Sequence, residues 1–166
     1  MELSLVNKFD SECDDLLDII DDLVIYYTKP LDDYIEIIRK DLRNCDAMTN
    51  DTLANHIATL PVLIYNLTDK LQYFGIKQDA AKMQRRTVYN NAYQNTENGT
   101  VAQKTTIAQE ACTDEQMIED IFTRAYKTCE SKLEIADMLH SSLKKVLQLR
   151  MTELEVTRNN MLSGGM

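Results

Sequence analysis

Apolar side chains recur every three or four residues along the middle of the chain, from Thr52 to Tyr93. The steps alternate between four and three residues, as in the seam of a coiled coil. The twelve seam positions, of which only the eighth and the tenth are polar, are Leu53, Ile57, Leu60, Ile64, Leu67, Leu71, Phe74, Gln78, Ala81, Arg85, Val88 and Ala92. A helix over this stretch extends about 60 Å. The pattern predicts one long helix, which Pro61 either kinks or breaks.

Two shorter apolar stripes of the same spacing lie on either side of Lys29-Pro30. The first runs from about Ser4 to Tyr27 and the second from about Leu31 to Met48. Because a residue that precedes proline avoids the helical region, we expect the first helix to end there. The sequence therefore predicts an N-terminal pair of helices.

A cluster of turn-forming residues, Gln94 to Gly99, follows the long helix. It predicts a reversal centred near residues 96–98. The chain then returns as an alanine-rich segment, Val101 to Cys112, and a last helix that ends at about Asn159. Thr113 and Gln116 have the spacing of a capping box, so either a new helix or a bend begins there.

These patterns predict an all-α fold, namely a long antiparallel helical hairpin with the N-terminal helical pair packed on its base. A chain of 166 residues is long enough for a single domain with its own core. We expect one domain over residues 1–166. Its parts are an acidic helical pair (1–48), an arm and reversal (49–112), a long C-terminal helix (113–160) and a flexible tail (161–166).

The net charge of −9 is confined to the N-terminal part of the chain. Up to Leu60 there are 14 acidic and 5 basic residues, whereas the rest carries 13 of each. The acidic face of the first helix carries Asp10, Asp14, Asp18, Asp21 and Asp22. This face either is simply solvated, docks a basic partner, or mimics a phosphate backbone.

The sequence offers little support for catalysis or for metal binding. The four cysteines lie far apart and only two histidines accompany them, so we expect no metal site and a reducing, cytoplasmic location. No secretion signal and no apolar run of membrane-spanning length is visible. Phosphate-binding glycine loops and hydrolase motifs are missing, so we expect neither an enzyme nor a cofactor.

One face of the long helix combines basic and aromatic residues. Lys82, Arg86, Tyr89 and Tyr93 follow one another at steps of four, three and four, next to the seam residue Arg85. Cations that neutralise phosphates, followed by rings on which bases stack, are typical of single-strand binding. Alternatively, these residues only flank the seam, the tyrosines cover the hairpin near its tip, and Arg85 forms an internal ion pair with Glu110.

A second basic group, comprising Lys144, Lys145 and Arg150, lies on the last helix. It could contact phosphates, complement a helix end, or pair with the acidic first helix.

The helix with its basic residues, the reversal, the alanine-rich return from Thr100 to Ala108 and the long last helix together resemble the UvsY-type recombination mediators of tailed phages. The resemblance is one of layout and covers about residues 51–158, while the acidic first fifty residues depart from the family's more even charge. Members of that family assemble into rings, so the resemblance implies a homo-oligomer that binds single-stranded DNA and helps to load a RecA-like recombinase in the host cytoplasm. The residues that would contact DNA are Lys82, Arg85, Arg86 and Lys104.

The leading hypothesis is therefore a non-enzymatic, oligomeric mediator that binds single-stranded DNA. A helical arm of this length needs further surface to bury its apolar sides, which favours an oligomer. The alternative is an acidic structural or interaction protein of a phage, an assembly factor or a DNA-mimicking inhibitor, that binds no nucleic acid. A third possibility, an enzyme whose site forms between subunits, lacks a nucleophile–base pair.

Overall fold

The computed structural model describes residues 2–43, 48–97 and 99–163, with side chains for residues 14–43, 48–97 and 99–161. These residues form four helices and no strand: α1 (Glu2–Arg43), α2 (Asn50–Asn95), α3 (Val101–Ala111) and α4 (Thr113–Ser163). The predicted all-α fold is confirmed.

Helices α2 and α4 pack antiparallel to each other, which confirms the helical hairpin. As the residue number increases along α2, the number of the residue that it contacts on α4 decreases. The pairs are Phe74 with Tyr126, Gln78 with Thr123, and Arg85 with Glu119. The twelve seam positions of α2 are all buried or half-buried. The helix runs through Pro61 without a break, so the alternative of a broken helix is wrong.

The predicted N-terminal pair of helices is wrong, because α1 is a single helix with Pro30 inside it. The apolar stripe does not change register at the proline. Tyr27 and Leu31 are four residues apart, and both are buried. Burial of a stripe that continues on both sides outweighs the roughly 3 kcal/mol that a proline costs in a helix interior.

Packing divides the chain into two compact units. The first unit comprises Met1–Tyr27 and Asp69–Glu130, and the second comprises Thr28–Thr68 and Ser131–Met166. Helices α1, α2 and α4 each contribute residues to both units. The expectation of a single domain over the whole chain stays a prediction.

An aromatic cluster forms the core of the first unit. Tyr27 of α1 stacks on Phe74 of α2, with ring centroids 4.5 Å apart and planes inclined by 6°. Phe122 and Tyr126 of α4 meet the same ring edge-on, each at 5.9 Å. Small buried residues, Ala81, Ala108, Cys112, Ala125 and Cys129, complete this core and allow close helix approach.

Two polar networks lie within the second unit. Lys132 donates to Asp32 Oδ2 (2.6 Å) and to Thr28 Oγ1 (3.2 Å), and the Thr28 hydroxyl itself donates to the same carboxylate oxygen (2.7 Å). The buried ring of His56 lies between the Tyr34 hydroxyl (3.0 Å) and Asp41 Oδ2 (2.9 Å). Because both networks satisfy their buried polar atoms, they favour one register of α1 on its neighbours.

The return after the reversal differs in detail from the prediction. The capping box forms at Thr100 and Gln103, at the start of α3, and not at Thr113. The Thr113 hydroxyl donates to carbonyl groups of the preceding turn, whereas the Gln116 side chain donates to Asp120. Helix α4 nevertheless begins at Thr113, so a new helix starts there, as one of the two alternatives predicted.

The C-terminal tail was expected to begin at residue 161, but α4 continues to Ser163. The next residue in the sequence is Gly164, and glycine commonly follows the end of a helix. The helix is therefore longer than expected by residues 161–163, while the flexibility of this end stays a prediction. Residues 164–166 lie outside the described part of the chain.

Candidate nucleic-acid interface

The candidate interface lies on α2 in the first unit, where four residues form what we call the basic-aromatic strip: Lys82, Arg86, Tyr89 and Tyr93. Their spacing places them along one side of the helix. Lys82 and Arg86 are exposed, and the two tyrosines are half-buried. The two cations stand one turn apart, and neither forms an ion pair within the part of the chain that the structure describes, so both charges face solvent.

The two tyrosines of the strip lie nearly parallel to each other. The ring centroids of Tyr89 and Tyr93 are 6.3 Å apart and the ring planes differ by 15°. A pair of parallel rings, each partly accessible, presents flat π-surfaces in a fixed orientation. Flat surfaces of this kind stack on nucleobases of any sequence, at about 1–3 kcal/mol per base.

Arg85 does not belong to the solvent-facing set, because it forms an ion pair through Nε with Glu119 Oε2 of α4. The Arg85 side chain is 34% exposed and that of Glu119 is 16% exposed. An internal ion pair of Arg85 was thus predicted correctly, but its partner is Glu119 and not the expected Glu110. The reason is that α3 ends at Ala111, so that α4 and not α3 packs on α2 at Arg85.

Lys104, the sixth predicted contact, lies in the second turn of α3 and is half-buried. Its helix begins with the capping box of Thr100 and Gln103, which satisfies two backbone N–H groups. The role of all six residues in binding DNA stays a prediction.

Sequence reasoning missed two carboxylates near this surface, Glu115 and Glu119. Glu115 Oε2 is buried and has no hydrogen-bond partner among the described residues. Because Glu115 precedes Glu119 by one helical turn, the antiparallel register places it one turn beyond Arg85, toward Tyr89. The i, i+4 spacing of two glutamates at the start of an amphipathic helix was the available signal. Both add negative potential beside the strip.

The second basic group separates into two kinds of residue. Arg150 Nη1 donates to the backbone carbonyl of Met48 at 2.7 Å, a structural contact within the second unit. Lys144 and Lys145 are exposed on α4.

Comparison of the chain with known protein families, with curated proteins and with solved structures finds no match. In the part of the chain that the structure describes, no helix is both long and apolar enough to cross a membrane. Nor do those residues bring together three histidine, cysteine, aspartate or glutamate side chains that could hold a metal ion.

Proposed function

We propose that the protein binds single-stranded DNA through the basic-aromatic strip and acts, without catalysis of its own, as a recombination mediator. The observation that carries the proposal is the combination of exposed Lys82 and Arg86 with the parallel rings of Tyr89 and Tyr93 on one side of α2. Cations alone would bind any polyanion, and rings alone would bind any flat apolar group. Their combination favours a strand whose bases are unpaired.

Lys82 and Arg86 are like charges one helical turn apart, an arrangement that is mildly unfavourable in an isolated helix. A phosphate held between them removes this repulsion. The next nucleotides then lie beside Tyr89 and Tyr93, one and two turns further along the helix. Lys104 of α3 is the further cation that we expect to contact the backbone of the strand.

The charge of the first unit limits the strength of this interaction. The α1 segment of the unit carries exposed aspartates, and Glu115 and Glu119 lie near the strip. These charges repel a polyanion at long range, so attraction depends on short-range contacts. Added salt competes with Lys82 and Arg86 for the phosphates, so we expect binding that is strong only at low salt.

The role as a mediator rests on the layout that resembles UvsY-type proteins. In that role the protein forms a homo-oligomer in the cytoplasm of the host cell and assists a RecA-like recombinase. The exposed end of α4 supports self-association, because every side chain from Met151 to Met161 is exposed. Four of them are apolar: Met151, Leu154, Val156 and Met161. A second copy of the chain would bury them.

A titration of labelled oligothymidylate followed by fluorescence anisotropy tests the proposal. We expect binding at low salt, with log K falling against log salt at a slope of about −0.7 for each phosphate contacted, hence about −2 for three cations. A duplex of equal length is the control, and it should bind more weakly because its bases are not free to stack. Failure to bind the single strand at low salt would overturn the proposal.

A further inference from the structure

We propose that an apolar groove on the first unit binds a basic amphipathic helix of another protein. The groove lies between α1 and α4 and has a volume of about 500 Å³. We call it the acid-rimmed groove. Its lining includes Leu16, Leu17, Ile20, Met117, Asp120 and Arg124.

The floor of the groove is apolar and remains partly open to solvent. Leu17 is 55% exposed and Met117 is 46% exposed, and the neighbouring Ile118 is 44% exposed. Contiguous large apolar side chains at such exposure mark interaction sites more often than single exposed residues do. Methionine is flexible and adapts its shape to the side chains that it meets. The floor is thus suited to receive apolar side chains.

The rim of the groove is negatively charged. Asp14 and Asp21 precede and follow Leu17 by three and four residues, so that they lie on the same side of α1, and both are exposed. No lysine or arginine occurs in α1 between Lys8 and Lys29. Asp14 and Asp21 flank the groove and are not part of its lining. On α4, Asp120 does line the groove, and Arg124 is the one basic residue in the lining.

The length of the groove fits a helical partner. Its α4 lining extends from Thr113 to Arg124, which is about 17 Å along the helix, or three turns. Helices that dock into grooves place apolar residues at i, i+3, i+4 and i+7 over this distance. Lysine or arginine on the flanks of such a helix would face Asp14, Asp21 and Asp120. The same aspartates repel phosphate groups, which disfavours nucleic acid and anionic membranes in this groove.

A designed peptide tests this inference with the full chain. The probe is a labelled peptide of about five helical turns, with leucines along one stripe and lysines elsewhere. Three comparison probes are the same peptide with glutamate in place of lysine, a scrambled peptide of equal composition, and vesicles of anionic lipid. We expect saturable binding of the basic amphipathic peptide alone, weakening as salt rises.

Substitutions locate the binding. Leu17→Gln combined with Met117→Gln should lower the affinity for the basic peptide at least about tenfold, because both side chains lose their apolar contact with it. Asp14→Asn combined with Asp21→Asn should lower this affinity less, and should make it less dependent on salt. Ile107→Gln is the matched control, since Ile107 is 45% exposed on α3 and does not line the groove. Thermal unfolding followed by circular dichroism checks that each variant folds.

The inference is overturned if the basic peptide does not bind, if the acidic or the scrambled peptide binds equally well, or if vesicles bind in its place. It is also overturned if Ile107→Gln lowers the affinity for the basic peptide as much as the Leu17 and Met117 substitutions do. None of these substitutions changes the basic-aromatic strip, so the outcome is independent of the test for single-stranded DNA.

Discussion

Arg85 of α2 and Glu119 of α4 form an ion pair at the tenth position of the apolar seam. The other polar position of the seam is also matched across the hairpin, because Gln78 Nε2 donates to Thr123 Oγ1 at 3.2 Å. Polar residues within a seam contribute little stability but disfavour every register in which they lose their partner. These two pairs therefore specify how α4 aligns with α2, and they place Glu119 beside the basic-aromatic strip.

Glu119→Gln should lower the free energy of unfolding by about 1 kcal/mol, because Arg85 loses its anionic partner in a partly exposed pair. The same change should raise the affinity for oligothymidylate about two- to threefold, since one negative charge beside the strip is removed. Urea unfolding and anisotropy titrations measure the two effects.

Glu110→Gln is the control for this substitution, because Glu110 is exposed and was the partner expected from sequence alone. It should leave stability unchanged. If Glu110→Gln destabilised the chain and Glu119→Gln did not, the pairing of Arg85 would be the one that the sequence indicated.

Pro30→Ala should stabilise the chain by up to about 3 kcal/mol. Pro30 is exposed and lies inside α1, where alanine restores a backbone N–H and removes the clash with the preceding turn. The melting temperature should rise accordingly. An unchanged or lower melting temperature would contradict a continuous α1 and would favour two helices separated at the proline.

The apolar spacing alone predicts most of the fold. The seam of α2 requires only local periodicity, and its twelve positions are buried or half-buried as expected. The continuity of α1 could not be predicted, because a local rule at Lys29-Pro30 competes with burial against residues distant in sequence, such as Phe74 beside Tyr27. Local rules are weak when tertiary packing opposes them.

The candidate interface was predictable as a sequence pattern but not as an electrostatic environment. The spacing of Lys82, Arg86, Tyr89 and Tyr93 follows from the helix. The pairing of Arg85 depends on the register of α4, which depends in turn on where α3 ends. That end is set by a single turn around Cys112, whose N–H bonds to the Gln109 carbonyl at 3.3 Å.

Tyr126→Phe should change how stability responds to alkaline pH. Burial raises the pKa of the Tyr126 hydroxyl above its usual value of 10.0, and the negative charge of Glu130 and a hydrogen bond to it raise that pKa further. Above pH 10 the unfolded chain therefore loses this proton more readily than the folded chain. Stability falls as pH rises from there toward the folded pKa.

In Tyr126→Phe this contribution is absent, so the decline in stability at alkaline pH should be shallower than in the unaltered chain. The measurement is the urea midpoint of both proteins at neutral and at alkaline pH, because contributions common to both cancel in the difference. Equal declines in the two proteins would contradict the assigned environment of Tyr126.

The measurement that tests the central claim most directly compares two pairs of lysine and arginine substitutions for binding to oligothymidylate. Lys82→Ala with Arg86→Ala removes the cations of the strip, and Lys144→Ala with Lys145→Ala removes two exposed lysines of the second unit. We predict that the first pair weakens binding at least about tenfold at low salt and makes the salt slope shallower by about 1.4, while the second pair changes neither. Equal losses for both pairs, or no loss for the first, would contradict the claim that the strip binds single-stranded DNA.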